Sequence, residues 1–75
     1  MAADRINYPL DHDGVLKRIE TEWVQGKGRT PNQLHAKLGL HVSWIGKART
    51  GGKRANRTDT RRVWFQIIDE LDYGE

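Results

Sequence analysis

Residues 33–52 read QLHAKLGLHVSWIGKARTGG, and the spacing of their apolar side chains decides what fold surrounds them. Leu34 and Leu38 stand one helical turn apart, Gly39 interrupts the run, and Ile45 and Ala48 recur three apart. That pattern predicts two short helices around a glycine turn, with Leu40 as a buried turn residue. The first helix has a well-marked start in Thr30-Pro31-Asn32-Gln33. Thr30 suits the N-cap, Pro31 the first helical position, and Gln33 can reach back to complete a capping box. The second helix is expected over roughly Val42 to Arg49, ending at Thr50-Gly51-Gly52.

Outward from this segment the pattern stays helical. Val15, Leu16, Ile19 and Trp23 form one stripe of a 3.6-residue period, predicting a helix from Asp11 or Asp13 to Gln25. Asp11 and Asp13 lie at its start, where carboxylates suit unsatisfied N–H groups and the positive end of the helix dipole. A last helix should begin near Thr58 or Thr60 and turn Val63, Trp64, Ile67, Ile68 and Leu71 inward. Residues 50–58, TGGKRANRT, read as a polar basic loop, and residues 1–10 as an extended or frayed arm. No segment alternates as a strand does. The expectation is one all-α domain over residues 1–75, a compact bundle of four to five helices.

A 75-residue chain buries only about 60% of the surface exposed by its unfolded form. With no cysteine there is no disulfide or thiolate metal site to reinforce it, and a second copy of the chain is one source of further burial. Charge is segregated. Residues 27–62 hold ten Lys and Arg against the single acid Asp59, a net of +9, while residues 1–26 carry −2 and residues 63–75 carry −4. Such a layout concentrates positive potential, as a polyanion-binding surface does, although a solvated basic face has the same composition. No apolar run approaches a membrane span, and the start MAADRINYPL lacks a signal-peptide core. A cytoplasmic, nucleoid-associated location in a bacterial cell is the expectation.

The frame Leu34, Leu38, Gly39, Leu40, Ile45 and Ala48 resembles the helix-turn-helix of phage Cro and repressor-type regulators. In that family one helix precedes the motif, here about residues 30–50, and one or two follow it. The resemblance implies a sequence-specific, DNA-binding transcription regulator acting on operator DNA as a homodimer, with the 42–49 helix in the major groove. It implies base contacts from His41, Val42, Ser43, Gly46, Lys47 and Thr50, Val42 being suited to a thymine methyl. Phosphate contacts would come from Arg29, Thr30, Asn32, Gln33, Arg49, Lys53, Arg54 and Arg57, and the basic loop is a candidate arm along the DNA backbone.

His35 departs from the family, which usually has Ala or Gly there; Ala36 comes one place later. Either the two helices are splayed, or the imidazole tilts out and bonds at the edge of the core. Gly46 is unusual inside a helix, and either admits close approach of DNA or relieves crowding beside Trp44. Trp44 reads as a packing residue. Arg61 and Arg62 oppose the dipole of the last helix, suggesting either a partner or an ion pair with an acidic helix.

Other functions fit less well. The histidines at 12, 35 and 41 lack metal-ligand spacing, the single serine has no triad arrangement, and neither Gly-Lys piece is a P-loop. No enzyme activity, cofactor or metal is therefore expected. The competing reading is a small phage-type protein-binding module that modulates RNA polymerase or another host nucleic-acid machine. The acidic end Asp69-Glu70-Leu71-Asp72 with Tyr73 would then be a second contact.

Overall fold

A computed structural model of the chain describes residues 8–54 and 57–74. The described residues are all-helical: α1 His12–Arg18, continued as a π-helix over Ile19–Gln25, then α2 Pro31–Leu38, α3 Trp44–Arg49 and α4 Thr58–Tyr73. Residues 1–7 of the expected arm and Ala55-Asn56 of the basic loop lie outside the described residues.

The starts of α1 and α2 have local causes. The Asp11 carboxylate accepts from the N–H of Gly14 at 3.0 Å and caps α1. Val15, Ile19 and Trp23 follow one another by four, a spacing that drifts about 40° per step in a 3.6-residue helix. The wider turn of the π segment offsets that drift and brings Ile19 and Trp23 fully into the core. In α2 the capping box is complete, with the Gln33 N–H donating to Thr30 Oγ1 at 3.3 Å and the Thr30 N–H to Gln33 Oε1 at 2.7 Å. Gly39 closes α2 at φ 69°, a left-handed conformation that side chains other than glycine adopt at a cost. The bond from Leu40 N–H to His35 O at 2.8 Å and that from Gly39 N–H to Ala36 O at 3.4 Å complete a Schellman closure.

The core is built around Trp64 of α4, which is fully buried. Its ring meets Trp44 of α3 edge-on, with centroids 5.2 Å apart, and His12 of α1 at 4.7 Å. Its indole N–H donates to the Lys53 carbonyl at 2.8 Å. α1, α3 and the 51–54 turn therefore converge on one side chain of α4. Trp23 has a similar role at the α1–α2 end, its Nε1 donating to Thr30 O at 2.7 Å. Phe65 is also buried, although only Val63, Trp64, Ile67, Ile68 and Leu71 were expected to face inward. Val63, Ile68 and Leu38 are only partly buried, packed against the core rather than inside it.

Ion pairs tie the helices together across the surface. Arg18 pairs with Glu22 at 2.7 Å and with Asp72 of α4, and Lys37 of α2 pairs with Glu70 at 2.8 Å. Arg61 donates to the carbonyl of Tyr8, anchoring the last described residues of the arm. No helix among the described residues is long and apolar enough to cross a membrane.

Candidate nucleic-acid interface

The geometry of the α2–α3 pair turns on His35. Its side chain is 2% exposed, and its Nε2 accepts the backbone N–H of Ile45 at 3.0 Å. That N–H belongs to the first turn of α3, where no intrahelical acceptor exists. With Nε2 an acceptor, Nδ1 carries the proton and donates to Asn32 Oδ1 at 3.2 Å. The imidazole is thus not displaced from the core. It caps α3 from α2, a role that Ala or Gly cannot fill. Burial, followed by the charge of nearby His41, lowers its pKa from the ordinary 6.5, so the neutral ring that the cap requires is favoured.

A second histidine completes the start of α3. His41 Nδ1 accepts from the Ser43 N–H at 3.2 Å and lies 2.8 Å from Ser43 Oγ. The Trp44 N–H donates to His41 O at 3.0 Å. These bonds fold residues 41–43 as a turn, so α3 begins at Trp44 rather than near Val42. With Nδ1 accepting, the proton of the neutral His41 ring lies on Nε2, on an exposed residue.

Trp44, Ile45 and Ala48 pack inward, leaving His41, Val42, Gly46, Lys47 and Thr50 exposed and Ser43 half-buried. All six expected base-contact positions therefore lie on or beside the outward side of one short helix. Lys47 has no carboxylate partner among the described residues. Val42, an apolar side chain, is 64% exposed. Crowding beside Trp44 does not explain Gly46: a Cβ there would meet no atom within 4 Å.

The expected phosphate-contacting residues divide differently. Arg49 faces Glu20 at 3.4 Å and Arg57 faces Asp59 at 3.5 Å, both pairs exposed and weak enough to exchange for a phosphate. Arg29 lies over the Trp23 ring, 4.9 Å from its centroid. Arg54 is held more firmly: Nη2 contacts Asp13 Oδ1 at 2.6 Å, while Nε donates to the Ala48 carbonyl at the end of α3 at 3.3 Å. The Arg54 guanidinium in turn holds the Asp13 carboxyl below its ordinary range. The described part of the basic loop is thus fastened by Arg54, by the Lys53 carbonyl and by Gly52 N–H donating to Lys47 O at 2.8 Å. It is not the free arm that its composition suggested.

At the start of α2 the capping box occupies Thr30 Oγ1 and Gln33 Oε1, and His35 occupies Asn32 Oδ1. The side-chain amide nitrogens of Asn32 and Gln33 are the donors these bonds leave over. Lys53 and Arg62 have no acidic partner among the described residues. The capping and closure signals of α2 are readable locally, but nothing local marks His35 as the cap of a helix ten residues away.

The chain matches no family model, no curated protein and no solved structure.

Proposed function

We propose that this chain is a small sequence-specific DNA-binding transcription regulator, with α2, the Gly39 turn and α3 acting as a helix-turn-helix. One observation carries the reading. α3 and the residues flanking it expose His41, Val42, Gly46, Lys47 and Thr50, with Ser43 half-buried, and these six include no carboxylate and make no ion pair among the described residues, inside a segment of net charge +9. Short polar and basic side chains on a helix of this kind suit the edges of base pairs in a major groove. Trp44, whose exposure would have favoured a protein partner, is buried.

In this reading α3 enters the groove, and Lys53, Arg62 and the exchangeable Arg49 and Arg57 contact phosphates. The chain acts as a homodimer on a near-palindromic operator and represses by occluding polymerase. Tyr8 and Tyr73, 47% and 82% exposed, are candidates for the dimer contact through the arm or the last helix. The exposure of Tyr73 beside Asp72 also supports a second reading, in which the same fold binds RNA polymerase or another host protein.

Selection of bound duplexes from a random pool at near-physiological salt separates the two. An enriched inverted repeat with half-sites about one helical turn apart, roughly 10 base pairs, is the expected result. A pool that stays random contradicts sequence-specific reading.

A further inference from the structure

Gly46 is an internal helical glycine that the fold itself does not require. Its φ is not positive, and an added Cβ would stand in open space. Alanine there would favour the helix, since glycine is among the poorest helix formers. What the glycine leaves is uncovered backbone on the exposed side of α3, a shallow hollow where the Cβ is missing. Thr50 stands one helical turn after it, its N–H donating to Gly46 O at 3.3 Å. The Thr50 hydroxyl donates back to Lys47 O at 2.9 Å, which leaves its methyl as the group available to a ligand. Val42, in the turn before α3, adds an exposed apolar side chain on the approach to the helix. Lys47, adjacent to the hollow, supplies a cation with no carboxylate partner among the described residues.

We infer that the hollow over Gly46, flanked by Thr50 one turn on, receives the 5-methyl group of a thymine, with Lys47 beside it on the same duplex. The inference rests on the DNA-binding reading and gives it a base. Of the groups on the major-groove edge, only the thymine methyl is apolar, and it is small enough to need a missing Cβ rather than a deep pocket. The positive charge at Lys47 and across residues 27–62 favours a nucleic acid over an apolar peptide as the occupant.

The probe is a duplex enriched from a random pool by the wild-type chain, remade with each thymine in turn replaced by deoxyuridine, which removes only the methyl. Wild type should lose about four-fold in affinity at one or two thymines per half-site, the equivalent of about 0.8 kcal/mol for one buried carbon. Gly46→Ala should melt no lower than wild type, bind the parent duplex more weakly, and not distinguish thymine from deoxyuridine at those positions. If wild type tolerates every replacement, the thymine assignment is overturned while DNA reading stands. If Gly46→Ala binds and discriminates as wild type does, the hollow is not the seat. If the wild-type chain enriches no duplex, the DNA reading fails and the inference falls with it.

Discussion

His35→Ala is expected to lower the unfolding free energy by about 2–4 kcal/mol, read from urea denaturation followed by tryptophan fluorescence. The buried Ile45 N–H loses its acceptor, at about 1–3 kcal/mol, and the vacated ring volume contributes the rest. His35→Phe separates the two terms. It fills the space but leaves the N–H unpaired, so it should still lose at least about 1 kcal/mol. A Phe variant as stable as the parent would show that the histidine only packs. The cap also has a pH signature. Because the folded pKa of His35 lies below 6.5, the unfolded chain binds the proton more readily, and folding stability rises with pH. Stability should be complete above about pH 6.5 and decline as pH falls through the lowered native value. His12 shifts in the same direction, mainly by burial and then by the charges of Arg54 and Arg61. The Phe variant should therefore keep part of the slope and lose the rest.

The other large effect is expected at Trp64. Trp64→Ala removes the α4 side chain on which α1, α3 and the 51–54 turn converge, and should cost about 3–5 kcal/mol. A chain of this size has roughly 4–11 kcal/mol in total, so the variant should lose a large share of its stability and melt well below the parent by circular dichroism. Trp64→Phe keeps an aromatic ring against Trp44 but leaves the Lys53 carbonyl without its indole partner. A loss of about 1–2 kcal/mol with the helices retained is expected. Retained helicity and an unchanged melting point in the Ala variant would place the centre of the core elsewhere.

Much of this architecture is legible locally. Thr30, Pro31, Gln33 and Gly39 mark α2 because each acts within four residues of itself, through a cap or a left-handed turn. The apolar stripe of α4 and the segregated charge are likewise properties of contiguous residues. Contacts set by tertiary geometry are different. Arg54 reads as a phosphate ligand in a basic stretch, yet its partner Asp13 is 41 positions away. Lys37 and Glu70 meet across 33 positions of sequence, only because the tertiary fold brings the two side chains together. For His35, the resemblance to regulators that carry a small residue there hid the role, since the ring bonds a backbone group as well as filling space. The emptiness over Gly46 depends on what surrounds it in three dimensions, and its sequence neighbour Trp44 pointed the wrong way.

The central claim is that the outward side of α3 reads bases. It is tested most directly by measuring the affinity of wild type, Lys47→Ala and Arg62→Ala for an enriched duplex and its scrambled counterpart between about 50 and 200 mM salt. Arg62 is a better phosphate probe than Arg54, whose guanidinium is held by Asp13 and Ala48. Wild type should prefer the enriched duplex, and Lys47→Ala should lose about ten-fold of that preference. Arg62→Ala should weaken both duplexes alike and reduce the salt slope by about one. Equal losses in the two variants, with sequence preference unchanged, would contradict the placement of α3 in the groove.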